Sequence, residues 1–460
     1  MNTFLKGTFI LAGAAFAGEL IEFLVNMVLA RELGREGMGM YMTVLPIIFL
    51  IATVANLELP ISISKFLAEH HRKEHQHMMK HATIFATAVS LGIFFITLAV
   101  LAAFPFFSHY HPYLKWVVLC FIPVVSFSAV LRGYFTGKNN MTTIAVSNFI
   151  RKAFQLTILF VVFQMFAFTD VKMSLFIAIC TLIGTEAVIL LYFFITYVTQ
   201  LSVLSRGHRP LLSPSEIRKK LLGVSLPTTG LRLFNAVCNA IQPFLIKHAL
   251  VLSGMTLTGA TQHFGMLTGV AMSIGFFPAF FAHSLLVALI PAVSEAHAKN
   301  QEEQLQRLLT QSMQMTFLYG IPSIVAMYFF AEPLTNLFFH STEAVYYLKA
   351  LWPYFLFHFF AVPLQAYLIG LGYVKDAFYH TIWSHIVSFS LMFFLGSQTN
   401  IGMQGIIIGM NCGVVVLTVL HYVTICKVIN VSFFHLSIKR IYLKKTSNSE
   451  VGGFLVTSYS

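Results

Sequence analysis

Charge is scarce in this chain. Asp, Glu, Lys and Arg make up 10% of its 460 residues, where a soluble domain carries about 25%. A chain so poor in charge lacks the material for a water-facing surface of ordinary size, which excludes a soluble enzyme of two or three globular domains. Cysteine is sparse too: Cys120, Cys180, Cys238, Cys412 and Cys426 each stand alone in apolar runs. Without a CxxC pair they imply neither a disulfide framework nor a metal site, and buried free thiols are expected. There is no GxxxxGK[ST] phosphate loop, so no direct use of ATP and no cofactor is indicated. No hydrophilic stretch could house a transferase domain, and no catalytic constellation stands on a loop, so the chain is not expected to be an enzyme.

Apolar length is what the chain has. Hydrophobic residues reach 57%, Phe alone occurs 47 times, and the mean hydropathy is +0.78. About 20 apolar residues cross the hydrocarbon core. Spans are expected near 8–30, 40–64, 82–107, 115–136, 144–167, 173–198, 222–251, 265–292, 309–331, 346–370, 377–396 and 402–426. The fold class is therefore all-α and integral to the membrane, with about twelve transmembrane helices. The first stretch is too long for a signal-peptide core and reads as span one. The formal charge of +12 is topological rather than a sign of nucleic-acid binding. Lys65, Arg72, Lys73, Lys80, Arg132, Lys138, Arg151, Lys152, Arg206, Arg209, Arg218 and most of the other Lys and Arg residues are assigned to connections on one side. That bias places both termini in the cytoplasm of a multi-pass cell-membrane protein.

The longest polar connection, near the middle of the chain, ends in Ser213-Pro214-Ser215-Glu216, a capped helix start. It divides the chain into a six-helix lobe at 1–205, a cytoplasmic linker at 206–221, a second six-helix lobe at 222–430 and a basic cytoplasmic tail at 431–460. The halves look like weak repeats. Leu59-Pro60 recurs as Ile290-Pro291, and Gly137-Lys138 recurs near Gly372 and Lys375, at similar offsets. Six spans per repeat is even, so the two repeats share one orientation, an arrangement that puts substrate between two lobes.

Ionisable groups inside spans mark functional sites by default. Glu19 and Glu22 in span one share a helix face, and with Glu186 in span six they are the ion-coupling candidates. Salt bridges to Arg232 or Lys247 are the structural alternative. Arg232 and Lys247 in span seven, about four turns apart, are the substrate-binding candidates, because a guanidinium fork suits phosphate oxygens. Glu58, just before Pro60, is a weaker candidate. His70, His71, His75, His77 and His81 read as a solvated basic loop, not a metal site.

Val28-Leu-Ala-Arg-Glu-Leu-Gly-Arg-Glu-Gly-Met-Gly-Met-Tyr41, Leu59-Pro-Ile-Ser-Ile-Ser-Lys-Phe-Leu-Ala-Glu69 and Arg132-Gly-Tyr-Phe-Thr-Gly-Lys-Asn-Asn-Met141 resemble the multidrug/oligosaccharidyl-lipid/polysaccharide (MOP) exporter superfamily. The likeness is to its polysaccharide-biosynthesis branch, the group of stage V sporulation protein B and shorter sporulation relatives. The resemblance implies two six-helix lobes around a central cavity and a lipid-linked saccharide as substrate. It also implies a flippase role in spore cortex peptidoglycan synthesis by alternating access, with membrane lipids and cell-wall synthesis enzymes as partners. Two other readings stand beside it: a cation-coupled multidrug exporter of the same superfamily, and a membrane scaffold for wall synthesis that transports nothing.

Overall fold

In the computed structural model, residues 3–69, 75–103, 107–166, 168, 170–201, 214–339 and 344–429 are described, and they contain helices and no strand. The helices are α1 (Thr3–Asn56), α2 (Leu59–Glu69), α3 (His75–Ala103), α4 (Leu114–Gly137), α5 (Met141–Met165), α6 (Val171–Leu201), α7 (Pro214–Leu252), α8 (Leu257–Gly265), α9 (Met272–Phe276), α10 (Ala279–Ala298), α11 (Glu302–Phe329), α12 (Ala331–Phe339), α13 (Val345–Ala350), α14 (Trp352–Gly370), α15 (Val374–Gly396) and α16 (Met403–Val428). A π-helical turn, Met266–Ala271, joins α8 to α9.

These helices make about twelve transmembrane segments in two lobes. Nine stretches are long and apolar enough to cross a membrane, and ten if α11 and α12, bent by 74°, count as one. The first of those stretches holds two segments, because α1 turns back at Gly34 (φ 65°), a backbone state that glycine adopts without penalty. The rest of the difference is α7, whose polar positions lower its hydropathy. Two expectations shift here. Residues 214–221, placed in the linker, are the first two turns of α7, and His75, His77 and His81 lie in the opening turns of α3 rather than in a loop. Residues 202–213 and the tail at 431–460 lie outside the described residues. Of the cysteines, Cys238 and Cys426 are buried, but Cys120 is exposed.

Each lobe carries the same close approach. A Cβ at Gly133 would meet Pro60 and Ile63, and one at Gly137 would meet Ser64 and Leu67, so α2 lies directly on α4. In the second lobe a Cβ at Gly370 would meet Ile290 and Val293, laying α10 on α14 in the same way. Pro60 lies in the first of these contacts, and Ile290 and Val293, which flank Pro291, make the second.

The cores are distributed unevenly between the lobes. At the Gly34 end one apolar cluster runs through both lobes, from Leu29, Met38 and Val44 to Phe264, Leu267 and Phe355. At the opposite end the clusters are separate. One holds Leu59, Phe66, Tyr134 and Phe193, joined by Ile217 and Leu221 of α7. The other holds Leu289, Leu308, Leu364 and Tyr367 of the second lobe. One core thus runs through both lobes at one end, while at the other each lobe has its own core and α7 packs on that of the first.

Candidate functional site

A cavity of about 730 Å³ lies between the lobes. The two segments of α1 wall one side, because the reversal at Gly34 brings Glu22 and Asn26 into the same cavity as Pro46 and Phe49. The middle of α7 walls the other, with Arg232, Asn235, Asn239 and Gln242. Its lining is mixed: amides and carboxylates stand among Phe23, Phe276 and Phe277. At the Gly34 end the cavity is shut by backbone contact. A Cβ at Gly39 would lie 2.0 Å from the Thr261 carbonyl oxygen, one at Gly265 would lie 2.5 Å from the Gly39 nitrogen, and one at Gly269 would lie 2.5 Å from Cγ of Met38. Arg31 Nε also donates across the lobes to the Leu337 carbonyl at 2.7 Å.

A smaller chamber of about 390 Å³ opens beside it, and Arg232 and Phe49 belong to both walls. It contains Arg132, Arg151 and Arg232 with Glu58 and Glu186. Arg232 Nη1 pairs with Glu58 Oε1 at 3.0 Å across the lobes, and Arg151 Nη1 pairs with Glu186 Oε1 at 3.0 Å within the first lobe. The first pair is lopsided: the Arg232 side chain is 66% exposed to the cavity while that of Glu58 is 8% exposed. Glu58 sits at the break between α1 and α2 with φ 47°, next to Leu57 at φ 44°. Two successive non-glycine residues in the left-handed region are uncommon, and such strain costs on the order of 1–3 kcal/mol each. It aims a buried carboxylate at Arg232.

Among the sequence-based candidates, Glu19 and Glu22 do share the cavity wall. Their ion-pair partner is neither Arg232 nor Lys247. Lys152 Nζ of α5 stands 3.8 Å from Glu19 and 3.7 Å from Glu22 and donates to the Gly18 carbonyl at 3.0 Å. Glu186 is separate from this pair, held in the side chamber by Arg151. Arg232 lines the cavity, but Lys247 does not join it. Fifteen residues carry Lys247 about 22 Å along α7, into a different pocket of about 870 Å³ at the Gly34 end with Glu36, Tyr110, Asp170 and Lys172. There its ammonium donates to Thr43 Oγ1 at 3.0 Å and lies over the Phe244 ring. Burial pushes the Tyr110 hydroxyl up to about 12, so it stays a neutral donor in this pocket.

Arg132, Arg151 and Lys152, expected in loops, lie inside α4 and α5: Arg132 and Arg151 line the side chamber, and Lys152 pairs with Glu22 of the cavity wall. The signal was present: Arg132 falls within the apolar stretch 115–136, and Arg151 and Lys152 fall two turns into 144–167.

Comparison with known proteins places this geometry. Residues 4–297 match the family described as polysaccharide biosynthesis protein, and residues 265–394 match the MatE family. Sporulation protein YkvU of Bacillus subtilis (strain 168) is 51% identical, over 94% of this chain and 97% of its own length. Stage V sporulation protein B of the same organism is 30% identical over 94% and 85%. Its lipid II flippase MurJ is 21% identical over 74% and 67%. A solved inward-facing multidrug resistance transporter of the MATE family and MOP superfamily superimposes with a TM-score of 0.72 at 16% identity, covering 94% of this chain and 96% of that one. A two-lobed helical bundle around a charged central cavity is the architecture of a multi-pass membrane transporter. The chain belongs to the polysaccharide biosynthesis protein family of the MOP superfamily.

Proposed function

We propose that this protein flips a lipid-linked saccharide precursor of the cell wall, in the synthesis of spore cortex peptidoglycan, by alternating access. The observation that carries this reading is the central cavity: amide-rich, walled by both lobes, with the guanidinium of Arg232 in its wall. Amides and carboxylates hydrogen-bond sugar hydroxyls, and a guanidinium binds phosphate oxygens in a fork. The relatives named for sporulation and lipid II flipping supply the substrate class.

The bias of Lys and Arg persists when Arg132, Arg151 and Lys152 are removed from the loop count, so both termini are assigned to the cytoplasm. The Gly34 end is then the outer end, and the shared outer core with separate inner cores corresponds to an inward-facing state. Residues 1–205 and 222–430 act as the two moving bodies. Glu19, Glu22 and Glu186 remain the coupling groups, each carboxylate set already holding a tethered cation, Lys152 or Arg151.

The multidrug-exporter reading requires a free acidic pair to receive an organic cation, and Lys152 occupies that pair. The scaffold reading is favoured by a cavity whose charges are buried in mutual salt bridges with no opening, and the exposure of the Arg232, Glu19 and Glu22 side chains speaks against it. The test is lipid-linked precursor in sporulating cells lacking the protein. Precursor should accumulate in the deletion and clear on complementation with the wild type. Unchanged precursor in a strain also lacking related transporters would overturn the flippase reading.

A further inference from the structure

We propose that the pocket between α1, α6, α7 and α8 at the Gly34 end holds the headgroup of an ethanolamine phospholipid of the surrounding bilayer, with its phosphate on Lys247 and its ammonium on Glu36 and Asp170. The inference does not depend on the flippase reading, because neither the substrate nor the central cavity takes part in it.

Glu36, Asp170, Lys172 and Lys247 line this pocket, and their formal charges cancel. A pocket without net charge does not call for a simple anion or cation. What it offers is charge separated by depth. Glu36 follows the reversal of α1 at Gly34 by two residues, and Asp170 and Lys172 flank the first residue of α6. Lys247 lies deeper: it meets Thr43, seven residues and about 10 Å along α1 from Glu36. The shallow level therefore carries one negative charge in excess and the deep level one positive charge. An ethanolamine phospholipid has the complementary order, phosphate at the edge of the hydrocarbon and ammonium beyond it.

Lys247 has donors to spare. Its ammonium makes one hydrogen bond, to Thr43 Oγ1 at 3.0 Å, and lies over the Phe244 ring; among the described residues no carboxylate stands within ion-pair distance of it. Thr43 gives its own hydroxyl proton to the Gly39 carbonyl at 2.7 Å, so toward Lys247 it only accepts. An ammonium inside a span without an anion is costly, and two of its three N–H groups are left for phosphate oxygens. The Glu36 carboxylate likewise has no hydrogen-bond or ion-pair partner among the described residues.

Apolar walls identify the carrier of the headgroup as a lipid. Met40, Val44 and Ile47 line one side of the pocket, and Phe244 and Val251 the other. Phe244 and Val251 are exposed, as is Ile241 one turn further in, and the three share one face of α7, along which an acyl chain can run into the bilayer. The pocket has no lining residue in common with the central cavity, so it is a separate site. Lys247 belongs to the second lobe, and Glu36, Thr43 and Asp170 to the first. A bound lipid therefore ties the lobes together at their closed end.

Dioleoylphosphatidylethanolamine is the probe, titrated into the delipidated full-length protein in detergent, with bound lipid followed by native mass spectrometry and by the thermal midpoint. The choline and glycerol phospholipids with the same chains are the comparisons. The choline lipid carries the same charges but has no ammonium N–H for a carboxylate, and the glycerol lipid has no cation. The ethanolamine lipid should bind about tenfold more tightly than either and raise the midpoint. Lys247→Gln should weaken it by about tenfold, whereas Lys247→Arg should hold it. Glu36→Gln with Asp170→Asn should remove the preference for ethanolamine over choline and leave choline-lipid binding as it was, a pattern that misfolding does not produce. Lys115→Gln, outside the pocket and over Trp116, should change nothing. Each variant is checked as monodisperse by gel filtration before titration. Equal binding of the three lipids, or wild-type affinity in Lys247→Gln, overturns the site. So does free phosphoethanolamine binding as tightly as the lipid, which would make the ligand a soluble zwitterion. Tighter binding of a lipid diphosphate would give the pocket to the substrate and also overturn it.

Discussion

At the scale of single residues, ion pairs carry the site, and they differ in what they contribute. Glu58 is buried and Arg232 is mostly exposed to the cavity. Removing Arg232 therefore strands a buried carboxylate, at a cost on the order of 3 kcal/mol. Arg232→Ala alone confounds folding with function. The informative variant is Arg232→Ala with Glu58→Gln. Its thermal midpoint in detergent should recover most of what Arg232→Ala loses, while precursor clearance stays abolished. Recovery of both together would mean that Arg232 serves only to pair Glu58. Lys152 belongs to the same class of observation. Its position between Glu19 and Glu22 means that the acidic pair is not a free acidic patch but half of a charge cluster.

At the scale of elements, glycines decide how close helices come. Gly34 lets α1 reverse, which turns one 54-residue helix into both segments of the cavity wall. Gly39 and Gly265 then let α1 and α8 touch backbone to backbone at the closed end. A side chain at Gly39 cannot be accommodated while the lobes are in contact, because even a Cβ meets the Thr261 carbonyl. Gly39→Leu should reach the membrane but disfavour this closed state. The expected outcome is at least about a tenfold loss of flipping, equivalent to ~1.4 kcal/mol against the closed arrangement, measured in reconstituted vesicles. Wild-type flipping would mean that the Gly39 contact is not part of the cycle.

At the scale of the whole molecule, one core is shared by both lobes and two others are not, and the proposed alternating access would pivot on the shared one. Met38 and Gly269 sit in contact across the closed end, within reach of a disulfide. In a background without the native cysteines, Met38→Cys with Gly269→Cys should lock the lobes when oxidised and abolish flipping until reduced. A third cysteine at Asn239 in the cavity should then react with an impermeant maleimide from the cytoplasmic face only. Labelling from the outer face in the locked protein would reverse the assigned orientation.

The membrane class, the helical count and the two-lobed plan were legible in the sequence, because span length and low charge are local properties that bilayer thickness imposes. The motifs from Val28 to Tyr41 and from Arg132 to Met141 carried the family. Arg232 and the Glu19–Glu22 pair were legible as cavity groups because charge in an apolar run is conspicuous. Pairing was not. That Lys152 serves Glu19 and Glu22, that Arg232 takes Glu58, and that Lys247 belongs to another pocket depend on which helices meet and at what height. Glycine contacts between residues hundreds of positions apart set that height, and no periodicity along one helix encodes it. Residue type and spacing thus determined what kind of protein this is, and tertiary packing decided which charges face each other.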